Sequence, residues 1–336
     1  MKAAIFQGAG KPLSIERVDD PKPGPNDVVI KVHRCGICGT DLHMTAGHNW
    51  CYPVGYTPGH EYAGEIVEMG SKVQGYRTGD VITSVPLSGC GHCPVCLVGN
   101  EVLCAKMTPG MGGFGEYLRV PTSLAVRLPS TFSVIDAALI EPLAVGFYGL
   151  RMAHIRPGDR VLVLGGGTVA LLAIYWARRM GAGKIVAISR SARREALALE
   201  MGADKFVQAG DNEVAEVIAA LGGSPEVVFE CIGVAGAMPQ AITHVGVYGR
   251  VVSFGFCTSP DPIIPALVAM KAASLSFPVG YALRDFEHAA DMMDSGHVDP
   301  KIIVSSTIGL DELPTTFEAL RGPNNETKVH VLMQVS

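Results

Sequence analysis

Four cysteines between positions 90 and 104, in CGHCPVCLVGNEVLC, are the densest concentration of chemistry in the chain. The spacing C-x2-C-x2-C-x7-C lets Cys90, Cys93, Cys96 and Cys104 close a tetrahedron of thiolates round one zinc ion with no position left open. Such a site is structural. A zinc ribbon for nucleic acid is the competing reading, yet the loop offers Val95, Leu97, Val98 and Glu101 where a ribbon carries basic and aromatic side chains. A second set of donors is discontinuous: Cys38 in GICGTDLH, His60 and Glu61 in PGHEYAGEIVEMG, and Glu141 in ALIEPLAVG. One soft thiolate, one imidazole and one or two carboxylates form a zinc set that leaves room for water or substrate. Each residue alone has a plain explanation, as core thiol, turn histidine or helix-start acid. Whether Glu61 or Glu141 is a direct ligand stays open.

The third constellation is Gly165-Gly166-Gly167-Thr168-Val169-Ala170, a G-x-G-x-x-A run directly after the apolar stretch RVLVL. Glycines there let the backbone approach a pyrophosphate, which the following helix N-terminus stabilises. The end of the next strand selects the cofactor. A carboxylate at that place accepts hydrogen bonds from the ribose of NAD and repels a 2′-phosphate. This chain has Ser189-Arg190-Ser191 instead, with Arg193 and Arg194 following, so Ser189, Arg190 and Arg194 are expected to favour NADP(H).

These groups need elements to hold them. Residues 1–142 read as short β segments divided by turns, at 28–32, 61–69, 80–85 and 116–121. From 143 to 283 the texture changes to alternating strands and helices, the mark of parallel βαβ units in a doubly wound sheet. After 283 it breaks up again, with two helical stretches, and 284–336 is expected to return and complete the first domain. The cysteine lobe occupies about 88–106.

Composition sets the outer bounds. The chain has 336 residues, 48% of them hydrophobic and 18% charged, enough apolar material for about two folded domains. A net charge of -5 offers no basic field for a nucleic-acid partner. No membrane partner is expected either: the longest uncharged apolar run, 161–177, contains three glycines and is shorter than the roughly 20 residues a bilayer requires. The start of the chain shows no secretory pattern, so a cytoplasmic protein with reduced thiols is expected.

GICGTDLH, GHEYAGEIVEMGSKV, the four-cysteine stretch, IEPLAVG and VLVLGGGTVALLA together resemble, in order and along the whole length, the zinc-containing medium-chain alcohol and polyol dehydrogenases. The sorbitol and butanediol branch is the nearest in pattern. The resemblance implies a GroES-like, mostly β catalytic domain with a Rossmann domain inserted, two zinc ions per chain, and a homodimer or homotetramer. It implies that Cys38 and His60 bind zinc, with Glu61 and Glu141 as ligand or near-ligand. Thr40 would take the proton of the substrate hydroxyl, His43 would pass it to solvent, and Asp41 would orient His60. The implied reaction is hydride transfer between a nicotinamide cofactor, NADP(H) on the local reading of Ser189 and Arg190, and a secondary alcohol, diol or polyol or the matching ketone or aldehyde. Two departures stand out: the branch commonly has an acid where Ser189 stands, and GHNWCYPVGY is unusual, so His48, Trp50 and Tyr52 are candidates for shaping a substrate pocket. A zinc-independent double-bond reductase and a non-enzymatic zinc-binding protein are the alternatives on this fold.

Overall fold

The computed structural model describes residues 1–47, 51–129, 131–132, 137–295 and 299–333. The chain forms two units, Met1–Ala144 with Tyr281–Ser336, and Val145–Gly280 between them. The seams therefore lie two or three residues from the expected 142 and 283.

The first unit is β-rich. A short pair, β1 (Lys2–Ile5) and β2 (Ser14–Arg17), precedes the long strand β3 (Asp27–Gly36), whose Val28, Ile30 and Val32 are buried at period two. β3 pairs antiparallel with β4 (Glu61–Met69), so that Gly36 lies opposite Glu61 and Cys35 opposite Tyr62. β5 (Val81–Ser84) follows, then a two-stranded ribbon of β6 (Leu87–Ser88) and β7 (Thr108–Pro109) at the base of the cysteine lobe. β8 (Tyr117–Pro121) pairs with β3, and β9 (Ala125–Arg127) with β5. The core under this sheet holds Phe6, Ile30, Ile66, Ile82 and Phe114, each fully buried and each worth about 1.5–3 kcal/mol of transfer free energy.

The second unit is a six-stranded parallel sheet of β10 (Arg160–Leu164), β11 (Lys184–Ser189), β12 (Lys205–Gln208), β13 (Val227–Glu230), β14 (Arg250–Ser253) and β15 (Ser274–Ser276). Its spatial order is β12-β11-β10-β13-β14-β15, two mononucleotide-binding halves meeting between β10 and β13. Strands such as RVLVL read as unbroken apolar runs because helices cover both faces. The helix Thr168–Arg179 buries every residue from Ala170 to Ala177, Trp176 among them. Among the described residues no helix is long and apolar enough to cross a membrane.

The tail returns to the first unit, through two strands that sequence periodicity did not single out. β16 (Val304–Gly309) and β17 (Lys328–Leu332) extend the seven-stranded sheet, with His330 opposite Gly36 of β3. β17, β3 and β4 thus run side by side at one end of the sheet.

Candidate metal centres and cofactor turn

The ends of β3 and β4 place the first set of donors. Two residues past β3, Cys38 caps the six-residue helix Gly39–Met44, its sulfur accepting the Thr40 N–H at 3.5 Å. His60 immediately precedes β4 and Glu61 begins it, and the ligand atoms of Cys38, His60 and Glu61 lie within 4.8 Å of one another. His60 and Glu61 are buried. Gly36 makes room for this: a side chain there would run into the Glu61 carboxylate.

Each donor is held from behind. Asp41, fully buried, sets Oδ1 3.3 Å from His60 Nδ1, and the same oxygen accepts the Tyr52 hydroxyl at 3.0 Å and the Gly59 N–H at 3.4 Å. Burial opposes charge on both partners, yet their mutual attraction prevails, lowering Asp41 and raising His60 from their ordinary values. An Nδ1 facing a carboxylate leaves the other ring nitrogen for a metal. Glu61 is gripped by the buried ammonium of Lys328, 2.6 Å from both carboxylate oxygens, and Lys328 also donates to the Ile37 carbonyl at 3.0 Å. Glu141 stands apart from the three-donor set. Its Oε1 accepts the Tyr281 hydroxyl at 2.7 Å, and burial, with the Glu61 charge nearby, pushes its carboxyl up to about 7.

Thr40 lies in the first turn beside Cys38, and His43 is exposed in the last turn of the same helix. Tyr52, a candidate pocket residue, turns its hydroxyl onto Asp41 and packs its ring against Tyr56, so it supports the histidine from inside the core. His48 and Trp50 lie outside the described residues.

The four-cysteine stretch folds as a loop with two short helical pieces, Pro94–Leu97 directly after Cys93 and the 3-10 turn Glu101–Leu103 directly before Cys104. Cys90, Cys93, Cys96 and Cys104 converge within 4.8 Å, with sulfur–sulfur separations of 3.4, 3.8 and 4.0 Å for Cys93–Cys96, Cys93–Cys104 and Cys90–Cys96. Four sulfurs about 2.3 Å from one ion stand about 3.8 Å apart, so the cage fits zinc. Backbone amides favour thiolates here: the His92 N–H pulls Cys90 down to about 6, and the N–H groups of Cys90 and Lys106 lower Cys104. Burial pushes Cys96 up to about 12.

In the second unit the glycine turn lines a cavity of about 580 Å³ with Ser189, Arg190 and Arg194. Gly165 has φ +120°, and a side chain on it would press on the Cys231 carbonyl. Gly167 caps the helix that Thr168, Val169 and Ala170 open, and Ala170 is buried beneath it. Arg194 Nη1 donates to the Gly166 carbonyl at 3.2 Å, fastening the helix start after β11 to the turn. Ser189 ends β11 and exposed Arg190 follows, with no acid at the strand end.

Lys328 and Tyr281 were not singled out from sequence. A lysine inside the apolar alternation of KVHVL was the available signal for the first, and a lone tyrosine gave none for the second.

Comparison with known proteins agrees with this geometry. Residues 24–130 match the family described as alcohol dehydrogenase GroES-like domain, and residues 168–295 the family described as zinc-binding dehydrogenase. The (R,R)-butanediol dehydrogenase of Bacillus subtilis is 33% identical, over 98% of this chain and 99% of that protein. The sorbitol dehydrogenase of the same organism is 29% identical, over 98% and 97%. A solved structure from Sinorhizobium meliloti, described as a zinc-binding dehydrogenase bound to NADP, superposes with a TM-score of 0.89 at 34% identity, over 98% of each chain.

Proposed function

We propose a defined reaction for this chain, which belongs to the zinc-containing medium-chain alcohol and polyol dehydrogenases: hydride transfer between NADP(H) and a secondary alcohol, vicinal diol or polyol. The observation that carries the reading is the cluster of half-buried Cys38 with buried His60 and Glu61, one donor short of a closed tetrahedron. The four-thiol lobe has no such gap, so the proposal assigns two zinc ions, one structural and one reactive. A zinc ion held by Cys38, His60 and Glu61 supplies Lewis-acid polarisation of a substrate oxygen. The rest falls to the chain. Asp41 fixes the tautomer of His60, and Lys328 holds Glu61 in place while offsetting its charge. Glu141, its carboxyl raised to about 7 by burial and tied to Tyr281, serves beside the ligands instead of among them. Thr40 takes the proton from the substrate hydroxyl, and exposed His43 hands it to solvent.

Two relatives carry the names of diol and polyol substrates, which supports a substrate with adjacent hydroxyls. For the cofactor, the hydroxyl of Ser189 and the guanidinium of Arg190 replace a carboxylate that would repel the 2′-phosphate. Exposed Leu267, Met270 and Phe277 flank the edge strand β15 in sequence and support a homodimer or homotetramer. Fluorescence titration tests the cofactor assignment. A hydrogen bond to a charged group contributes roughly 1.5–3 kcal/mol, so Arg190→Ala should weaken NADPH binding about ten- to hundredfold and leave NADH almost unchanged. A parent protein that binds NADH as tightly as NADPH overturns it.

A further inference from the structure

The carboxylate of Glu230 is 1% exposed, lies at the C-terminal end of β13, and has no cationic partner among the described residues; three donors converge on it instead. Oε1 accepts the backbone N–H of Ile232 at 2.6 Å and of Gly233 at 2.8 Å, while Oε2 accepts the Ser253 hydroxyl at 2.6 Å. Its backbone carbonyl accepts the N–H groups of Phe254 and Gly255. One residue therefore ties the turn after β13 to the end of β14, the neighbouring strand.

The backbones of the two turns approach so closely that a side chain on Gly255 would strike both Gly233 and the Glu230 carboxylate. The tied turn in its turn faces the cofactor. Cys231 and Ile232 line the same cavity as Gly165 to Gly167, and the Cys231 carbonyl abuts Gly165. In a sheet of this order the strands after the switch point, here β13 and β14, form the half that takes the second mononucleotide, whereas Ser189 and Arg190 belong to the adenosine half.

We propose that Glu230 is a positioning residue for the nicotinamide half of the cofactor, acting through the 231–233 turn that it ties to Ser253. This rests on the dinucleotide reading of the cavity. A buried acceptor serving three donors cannot be removed without leaving them unpaired, so the two turns separate when it is lost. The adenosine half, built on β11, keeps its own support.

The test compares a fragment with the whole. Binding of NADPH and of 2′,5′-ADP (NADH and 5′-AMP if the parent prefers NADH) is titrated against the parent, Glu230→Met, Glu230→Gln and Ser253→Ala. Glu230→Met keeps the bulk and loses every acceptor, so it should bind the dinucleotide at least tenfold more weakly, with 2′,5′-ADP within twofold of the parent. Glu230→Gln keeps one carbonyl oxygen for the two amides and should recover most of the loss. Ser253→Ala, which removes a single bond and is the safeguard should Glu230→Met not fold, should show a smaller loss confined to the dinucleotide. Equal weakening of fragment and dinucleotide in the folded variants would mean a merely structural role and overturn the proposal, as would unchanged dinucleotide binding. A parent that binds neither compound would instead refute the dinucleotide reading.

Discussion

The thiols of residues 90–104 sit in a stretch with little regular structure, a four-residue helix, a three-residue 3-10 turn and a ribbon of two-residue strands. Cys38, His60 and Glu61, by contrast, are delivered by the ends of two long strands paired over their length and flanked by a third. The lobe has almost no apolar core of its own: Leu97, Val98 and Leu103 are exposed. The sheet cluster lies over a buried hydrophobic core that includes Cys35, Ile37 and Tyr62. On the two-zinc proposal the difference teaches that a metal would do different work in each place: in the lobe the ion would replace a core, whereas at the sheet the fold already positions the donors.

The largest effect should come from breaking the lobe. Structural zinc contributes roughly 10–16 kcal/mol of apparent binding free energy in small zinc modules. Cys96→Ser should therefore unfold residues 88–106, seen as rapid proteolytic cleavage within the lobe and loss of one of two zinc ions on elemental analysis. A variant that resists protease like the parent and keeps both ions would erase the contrast between the two regions.

The sheet cluster should respond the other way. Cys38→Ser or His60→Ala should lower turnover at least about a thousandfold, because Lewis-acid stabilisation is worth several kcal/mol. The melting temperature should barely move, and NADPH should still bind. Loss of folding on the scale of Cys96→Ser would show that the sheet does not hold this site unaided.

Much of this contrast was legible in the sequence, because spacing records what a loop must do locally. The C-x2-C-x2-C-x7-C pattern and the glycine turn after RVLVL each lie within one stretch of chain, and the structure brings the four sulfurs together and places the turn at the end of β10. The supports of the discontinuous cluster were not legible. Lys328 reaches Glu61 across 267 residues, and Tyr281 reaches Glu141 across 140. Nothing local marks such pairings, since strand register decides them. Tyr52 stood out in sequence as a pocket candidate, but its hydroxyl turns inward because Asp41 needs a donor there.

Acid separates the regions more finely. His330 on β17 is fully buried, and neither ring nitrogen has a hydrogen-bond partner among the described residues. Burial, reinforced by the positive charges of Lys328 and Arg34, holds it down at about 3. An unfolded histidine takes its proton near 6.5. Between these limits the unfolded chain binds more protons than the folded one, so stability falls as pH falls. The loss begins at about pH 6.5 and reaches about 2 kcal/mol at pH 5. A zinc-loaded lobe would also weaken in acid as thiolates protonate and release metal. The difference between parent and His330→Leu isolates the sheet's share. Urea unfolding should show the parent losing about 2 kcal/mol more than the variant between pH 7.5 and 5. Parallel curves would mean that the folded chain protonates His330 as readily as the unfolded one.

The smallest expected effect bears most directly on how the sheet holds its donors without help from the metal. Asp41 presents one oxygen to Tyr52, Gly59 and His60 together, so the tyrosine hydroxyl fixes the carboxylate that in turn fixes the imidazole. Changing a residue that directly supports a metal ligand costs ten- to a hundredfold in metal affinity or activity. Tyr52 acts one bond further out, so Tyr52→Phe should fall at or below the lower end of that range, with zinc leaving the sheet site about three- to tenfold faster. The ring itself stays against Tyr56, so the core should remain filled and the melting temperature nearly unchanged. A chromogenic chelator that reports zinc release can follow the two ions as separate phases, because the closed lobe releases its ion more slowly. The fast phase should quicken in Tyr52→Phe and the slow phase should not. If both phases keep their parental rates, the hydroxyl does not position Asp41, and the Gly59 N–H suffices to hold it.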